Sequence, residues 1–216
     1  MLKTLFVTFF FLNPVFFQHS FAQKPKTNLT VRKQDFVAPD TVNVLFTTTQ
    51  GNFIIQAYRN WAPLAADRFY TLVKQQFYTN NYIFRVEKDY VVQFGIAGRP
   101  KEDNKWDLQR LPDEPVRKKH LKSIVAFARS GKNTRTTQLF VNMQDNPKLD
   151  TTMREGVHGY PPFGKVIRGM DVLFKLNGKY RKQILPLQDS VYKWGNTYLD
   201  KKFPGLDKII SATIIR

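Results

Sequence analysis

The chain has 216 residues, no cysteine and a formal net charge of +17, and 42% of its residues are hydrophobic. This length and apolar content suit one domain with a sizeable core, or at most two small ones, and exclude an intrinsically disordered protein. The lack of cysteine excludes disulfides, thiolate metal sites and a thiol nucleophile, while the positive charge indicates attraction to polyanions.

The first 22 residues have the three-part pattern of a secretory signal peptide. Lys3 supplies a positive charge, an apolar run covers residues 5–17, and Ser20 and Ala22 are small residues where a signal peptidase cuts. An uncleaved anchor helix is the alternative, but the run is short for a membrane span and contains Pro14. We expect cleavage after Ala22 and export to a periplasm, the cell exterior or a secretory lumen, with no membrane span in the mature chain.

The next segments predict an extension followed by the start of a folded domain. Residues 23–40 are polar and basic with two prolines, which indicates an irregular extension, and the folded domain is expected over residues 41–216. Two β-rich runs meet around Gln50-Gly51-Asn52, a hairpin signal. A helix is predicted after Pro63, because apolar residues recur there on one face of a 3.6-residue period.

The remaining chain contributes mainly short strands. Residues 82–95 are strand-like with a turn at Lys88-Asp89, whereas residues 98–122 are charged and proline-containing, which argues against a long regular element. Further short strands are predicted in "SIVAFA", "QLFVNM", "PPFGKV" and "KIISATII". A second short helix is predicted in "GMDVLFKLNG", ended by Asn177-Gly178. Many short strands with two helices favour a closed antiparallel barrel capped by helices.

Standard catalytic constellations are missing from the sequence. There is no Walker A loop, no GxSxG and no HExxH. His120 and His158 lack metal-ligand spacing, so no metal site is predicted. The carboxylates at residues 102–107 stand among lysines and an arginine, which indicates a solvated loop.

Three polar side chains stand at strand positions where apolar residues are usual. Arg85 and Gln93 have the same alternation parity, and Gln138 stands where a polar loop meets an apolar run. Arg85 alone could equally be an arginine at a sheet edge with its head in water. The two glutamines and the arginine are the candidates for chemistry.

Three motifs in order connect these residues to a family. They are "IFRVEKDYVVQFG" at residues 83–95, "ARSGKNTRTTQLF" at residues 128–140, and Leu149-Asp150 followed by "FGKVIRGMDV" at residues 163–172. They resemble F-H-R-x-I-P-G-F-M-x-Q-G-G, A-x-A-G-P-N-T-N-G-S-Q-F-F and L-D…F-G-K-V-x-x-G-M-D-V. These are signatures of the cyclophilins, which are peptidyl-prolyl cis-trans isomerases, and the variant loop is similar to a bacterial-type, often exported branch.

The resemblance implies a fold and a set of site residues. The fold is mainly β, a closed antiparallel eight-stranded β-barrel capped by two α-helices, and the activity needs no cofactor and no metal. Arg85 takes the place of the catalytic arginine. Gln138 positions the peptide backbone, and Phe140 forms the floor of the proline pocket. The substrate-binding residues implied are Tyr90, Val91, Gln93, Ala128, Arg129, Gln138, Phe140, Leu149 and Tyr160.

Several positions depart from the family pattern. Phe84 replaces a histidine, Lys148 replaces a tryptophan that helps bind cyclosporin, and Arg129 replaces an asparagine that binds through its backbone. Pocket residues differ as well, with Tyr90, Val91 and Tyr160 in place of phenylalanine, methionine and histidine. The arginine and both glutamines remain, so we expect activity with an altered proline pocket.

The chemistry explains why these residue types suffice. Rotation about a peptide bond has a barrier of roughly 18–20 kcal/mol. A rigid donor aimed at the prolyl nitrogen favours the deconjugated form, and a guanidinium suits this role.

The expected partners are proline-containing peptides and unfolded exported clients, bound by a monomer. The alternatives are a non-catalytic proline-peptide binder, or a weak polyanion binder on the same scaffold without specific nucleic-acid readout.

Overall fold

The computed structural model describes residues 36–216, so the predicted signal peptide and residues 23–35 of the predicted extension lie outside the described residues. The described residues form eleven strands, β1 to β11, which are Thr41–Thr48, Gly51–Tyr58, Asn81–Tyr82, Arg85–Val86, Val91–Phe94, Ile124–Phe127, Leu139–Asn142, Met153–Arg154, Val157–His158, Pro162–Arg168 and Lys208–Ile215. They also form six α-helices, α1 to α6, which are Pro63–Lys74, Pro100–Asp107, Lys148–Thr151, Met170–Lys175, Gln188–Trp194 and Asn196–Lys202. A 3-10 turn covers Leu185–Leu187.

Nine of these strands form one curled antiparallel sheet in the order β3-β11-β1-β2-β10-β6-β7-β5-β4, and β8 pairs with β9 separately. The predicted mainly β, antiparallel fold is thereby confirmed, with nine strands in the sheet where eight were expected. The two end strands, β3 and β4, are consecutive in the chain, and only Ile83 and Phe84 separate them. Within residues 36–216 no hydrogen-bonded ladder joins β3 to β4, so closure of the barrel stays a prediction.

Aromatic side chains fill the inside of the sheet. In β1 the residues alternate between buried and partly exposed positions, as expected for a strand with one face on the core. Phe46 stacks on Phe53 with ring centroids 4.9 Å apart, and Phe69 of α1 and Phe94 of β5 lie within 6.2 Å of Phe46. Each buried ring of this kind contributes about 1.5–3 kcal/mol by leaving water, so this core holds the strands that carry the site.

Two local predictions need correction. The first hairpin turns at Thr49-Gln50, and Gly51 already opens β2 with a φ of +122°, a conformation that favours glycine. The charged segment 98–122 begins with α2, which the sequence did not predict. The buried Asp103 carboxylate accepts hydrogen bonds from the backbone N–H groups of Ala97 and Arg99, 2.7 and 3.1 Å away, and so stabilises the start of that helix.

A segment of residues 177–207, here called the C-terminal helical segment, was also not predicted. It contains the 3-10 turn, α5 and α6, and its apolar residues form a second core cluster with Phe84 and Ile96. At Gly195 an added Cβ would lie 2.3 Å from the Gly98 carbonyl oxygen, so only glycine allows this close approach. The segment therefore packs against the strands that bear Arg85 and Gln93.

Within residues 36–216 no helix combines the length and the apolar content needed to cross a membrane.

The described residues 36–40 run beside α1, where the N–H groups of Phe36 and Ala38 donate to Thr71 and Asp67.

Candidate active site

A groove of about 920 Å³ runs across one face of the sheet. It is lined by all ten residues that the sequence singled out, namely Arg85, Tyr90, Val91, Gln93, Ala128, Arg129, Gln138, Phe140, Leu149 and Tyr160. They come from β4, β5, β7, α3 and the connecting loops, so distant parts of the sequence meet here. The structure brings the candidates together, while their individual roles stay predictions.

One end of the groove is an apolar pocket. The buried side chains of Val91, Phe140, Leu149 and Tyr160 line it together with Tyr90 and Ala128, and Ala126 belongs to the same apolar cluster. Phe140 is 5% exposed, and its ring meets the Tyr160 ring edge-on at 5.5 Å. An apolar recess of this kind suits a pyrrolidine ring, which buries hydrocarbon without presenting an N–H group.

His120 supports the pocket from behind. Its spacing in the sequence does not suit a metal ligand, and no other role was predicted for it. The His120 ring is fully buried and stacks on Phe140 with centroids 5.7 Å apart. Its Nε2 lies 2.6 Å from the Tyr160 carbonyl oxygen, and its Nδ1 lies 3.0 Å from Asn142 Nδ2. Nε2 therefore donates and Nδ1 accepts, which is the neutral tautomer. Burial lowers the pKa of His120, and this keeps the ring neutral.

Arg85 lies beside this pocket with its guanidinium held on several sides. Its side chain is 16% exposed, and its Nε and Nη2 each lie 2.6 Å from Glu87 Oε1. Nη1 donates to Gln93 Oε1 at 3.2 Å, and the guanidinium carbon lies 5.2 Å from the Tyr90 ring centroid. The sheet-edge alternative for Arg85 is partly right, because β4 ends the sheet, but the guanidinium lines the groove instead of standing in bulk water.

A chain of side-chain amides continues from Arg85. Gln93 Nε2 donates to Gln138 Oε1 at 2.9 Å, and Gln138 Nε2 donates to Gln188 Oε1 at 2.9 Å. Arg85 and Gln93 are directly paired across β4 and β5, and Gln93 is paired with Phe140 on β7. The pairing of these three neighbouring strands thus brings the arginine and the two glutamines side by side.

The loop before β7 is fixed by polar contacts that explain its composition. Thr134 Oγ1 accepts from the N–H groups of Ser130 and Gly131, and Thr137 Oγ1 donates to the Gly95 carbonyl oxygen at 2.8 Å. An added Cβ at Gly95 would lie 2.5 Å from the Thr137 oxygen, so glycine lets the loop lie directly on the end of β5. These contacts determine where Gln138 stands.

Arg129 acts differently from the asparagine that it replaces in the family pattern. Its side chain is 7% exposed and points into the loop 151–159, where it donates to the carbonyl oxygens of Val157 and Gly159 at 2.8 and 2.7 Å. Its guanidinium carbon also lies 4.8 Å from the Tyr160 ring centroid. The arginine therefore holds the loop that follows α3 against the wall of the pocket.

Sequence reasoning missed the opposite wall of the groove. The missed lining residues come from α2 and its following loop, from the polar loop before β7, from β8 and from the C-terminal helical segment: Asn104, Asp107, Arg110, Ser130, Thr134, Thr136, Arg154, Leu185, Gln188, Asp189, Tyr192 and Lys193. Burial raises the pKa of Tyr192 to about 12, so its hydroxyl stays protonated. Helical spacing of Gln188 and Tyr192 could have indicated a shared face.

The described side chains do not form a metal site. Within residues 36–216 there is no group of three or more His, Asp or Glu side chains placed to hold a metal ion. The polar groups that line the groove are mainly amides, hydroxyls and charged side chains suited to hydrogen bonding with a peptide.

Comparison with known proteins agrees with this fold and groove. The sequence profile of the family described as cyclophilin type peptidyl-prolyl cis-trans isomerase/CLD matches residues 43–193. The chain is 31% identical over 169 residues to peptidyl-prolyl cis-trans isomerase A of Dickeya dadantii, which covers 75% of this chain and 85% of that protein. A peptidyl-prolyl cis-trans isomerase of Acinetobacter baylyi is 32% identical over 130 residues. That alignment covers 60% of this chain and 68% of the Acinetobacter protein.

A solved structure shares the fold at low sequence identity. The cyclophilin-type isomerase of Cryptosporidium parvum superposes with a TM-score of 0.57 and 19% identity, covering 82% of this chain and 98% of that one. The fold and groove are those of the cyclophilin class. The chain belongs to the cyclophilin-type peptidyl-prolyl cis-trans isomerase family, and its enzyme class is that of isomerases of X-Pro peptide bonds.

Proposed function

We propose that this cyclophilin isomerises X-Pro bonds in exported proteins, with Arg85 as the catalytic residue and the apolar pocket as the proline site. The observation that carries the proposal is the position of the Arg85 guanidinium in the same groove as Phe140 and Gln138. A structural neighbour, the Cryptosporidium parvum cyclophilin, was crystallised in the presence of the dipeptide Ala-Pro. An X-Pro segment is correspondingly the substrate proposed for this groove.

The reaction breaks no covalent bond, so positioning and electrostatics carry it. Phe140 and its neighbours hold the proline ring while the group before it rotates. Gln138 and Gln93 offer amide groups to the peptide backbone. As the bond twists, the prolyl nitrogen gains lone-pair character and accepts more strongly from Arg85. A contact that strengthens during rotation lowers the barrier and does not merely tighten binding.

The decisive experiment measures prolyl exchange in a model peptide, by NMR or by a protease-coupled assay, beside circular dichroism. Arg85→Ala is expected to stay folded and to lose about a hundredfold to a thousandfold in rate, the usual effect of removing a donor to developing charge. Arg85→Lys keeps the charge but loses the planar fork, and a marked drop is still expected. Phe140→Ala is expected mainly to raise KM, with some loss of stability from the cavity.

The same measurement separates this proposal from the non-catalytic alternative. A folded Arg85→Ala protein with wild-type exchange would overturn the catalytic role of Arg85. A wild type that binds proline peptides without accelerating exchange would instead favour a binding module.

Export is supported by the signal-peptide pattern of residues 1–22. Sequencing the N-terminus of the protein recovered from its native host tests this part. We expect the mature chain to begin at Gln23 in an exported fraction, and an intact Met1 in the cytoplasm would contradict it.

Polyanion binding is a second candidate, favoured by the net charge of +17. Such binding would fall steeply as salt rises, because counterions compete for the same lysines and arginines. Retention on a heparin column that is no stronger than that of a neutral protein of the same size would rule it out.

A further inference from the structure

We propose that Gln188 of the C-terminal helical segment is a positioning residue of the isomerase site. It would accept the last hydrogen bond of a series that runs from Arg85 through Gln93 to Gln138, and would so hold Gln138 in one orientation. This inference rests on the proposed function of the groove and adds a residue to it. Gln188 lies outside the three signature motifs of the sequence.

The direction of the chain follows from its arginine end. A guanidinium can only donate, so Gln93 must turn its amide oxygen to Arg85 Nη1. The NH₂ group of Gln93 then faces Gln138, which must present its own oxygen, 2.9 Å away. The NH₂ group of Gln138 is thereby left to face α5. The arrangement follows from donor and acceptor chemistry, whichever way each amide is drawn.

The far end of the chain requires an acceptor, and Gln188 supplies it. Its Oε1 lies 2.9 Å from Gln138 Nε2, whereas the Tyr192 hydroxyl is a longer second partner at 3.4 Å. Gln188 is partly buried as the first residue of α5. With this acceptor in place, Gln138 keeps one orientation and offers a fixed pattern of groups to the peptide.

The helix that carries Gln188 is itself anchored to the catalytic strands. Val191 on α5 is buried in the second core cluster together with Phe84, which precedes Arg85, and Ile96, which follows β5. On the other side, Arg181 Nη2 lies 3.3 Å from Glu87 Oε2, the carboxylate that holds Arg85. Gln188 therefore approaches Gln138 from a rigid support, as a positioning residue requires.

Three substitutions at position 188 test whether Gln138 needs a hydrogen-bond acceptor there. Gln188→Glu keeps an acceptor, Gln188→Met keeps the size without hydrogen bonding, and Gln188→Lys places a donor against the Gln138 NH₂ group. We expect kcat/KM to fall less than threefold for Gln188→Glu and about tenfold for Gln188→Met, the order expected for one hydrogen bond. Gln188→Lys should show the largest fall in kcat/KM. We expect the fall to lie in kcat, because turning Gln138 away from the new ammonium group also disturbs Gln93, the hydrogen-bond partner of Arg85.

A matched control and a second readout keep the test decisive. Gln183→Lys adds the same charge to the same segment at an exposed position outside the groove lining, and should leave exchange unchanged. The side-chain amide NMR signals of Gln93 and Gln138 should move in Gln188→Lys and stay near their places in Gln188→Glu. Equal kinetics for the three variants, or a Gln188→Glu as slow as Gln188→Lys, would overturn the proposal. An inactive wild type would overturn the proposed function instead, and the NMR signals would still test the chain.

Discussion

Glu87 binds the guanidinium of Arg85 through one carboxylate oxygen, which lies 2.6 Å from both Nε and Nη2. The Glu87 side chain is 9% exposed, so this charge-assisted contact is shielded from water. Of the five N–H groups of Arg85, two face Glu87 and one faces Gln93. The remaining two, on Nη1 and Nη2, are the donors left for the substrate contact proposed above.

Removing this carboxylate should disturb the orientation of Arg85. We expect Glu87→Ala to lower kcat about tenfold to a hundredfold with a smaller change in KM, since a charge-assisted hydrogen bond to a positioned group is worth about 1.5–3 kcal/mol. Prolyl exchange kinetics measure it. Asp89→Ala is the control, because Asp89 is exposed and contacts Arg181, not Arg85. An exchange rate above wild type in Glu87→Ala would mean that Glu87 restrains Arg85 instead of aligning it.

The response to cyclosporin should be weak. Lys148 is exposed on α3 while its neighbour Leu149 is buried in the pocket, so the position of the family's tryptophan carries an ammonium group without an indole donor or an apolar face. Titrating isomerase activity with cyclosporin should show poor inhibition of the wild type and partial gain of inhibition in Lys148→Trp. Tight inhibition of the wild type would contradict the role given to this position.

Stability should fall with acidity through His120. Its folded pKa lies below the ordinary 6.5 because the ring is buried, so the stability it contributes is present above pH 6.5 and is lost as the pH falls through the folded pKa. Protonation would also set Nδ1–H against the Asn142 NH₂ group. Unfolding free energy measured between pH 7 and 5 should drop more steeply for the wild type than for His120→Gln.

The stability contributed by Asp103 changes with pH in the opposite direction over part of the range between pH 7 and 5. Burial raises its pKa from 3.8 to about 6, so the stability it contributes is present below pH 3.8 and is lost as the pH rises through about 6. The comparison with His120→Gln therefore isolates the histidine, since Asp103 is common to both proteins. Parallel pH profiles for the two proteins would contradict the role of His120.

A buried ion pair should dominate the stability of the loop before β7. Glu114 accepts from Arg135 Nη1 at 3.0 Å and from the N–H groups of Leu64 and Ala65 at the start of α1. Arg135 is fully buried, so Glu114→Ala leaves an uncompensated charge and should cost about 3–5 kcal/mol in urea unfolding. The exposed pair Lys175–Asp171 gives the control: Asp171→Ala should change stability by at most about 1 kcal/mol. Similar losses for both variants would contradict the prediction.

The sequence predicted most strands of the large sheet and the residues that their pairing brings together, but it did not predict the separate pair β8 and β9. Arg85, Gln93 and Phe140 stand at positions with strong local signals, and their cross-strand pairing follows from alternation and antiparallel order. The wall formed by α5 was not predictable in this way. Gln188 reaches the site through packing of Val191 and Ile184 against Phe84 and Ile96, contacts between residues far apart in the chain. The role of Arg129 was hidden for the same reason, because its partners belong to a loop whose path the sequence does not define.

The carboxylate of Asp207 joins both ends of the domain. It accepts from Thr49 and Gln50 in the first hairpin and from the Asn177 N–H group, and the contact with Thr49 spans 158 residues. Contacts of such long range form slowly, because a large loop must close first. A chain still being synthesised contains Arg85 long before it contains β11 or the wall that holds Gln188. The isomerase activity should therefore appear only after nearly the whole chain has been released, so a molecule that is still folding should not yet be able to catalyse isomerisation.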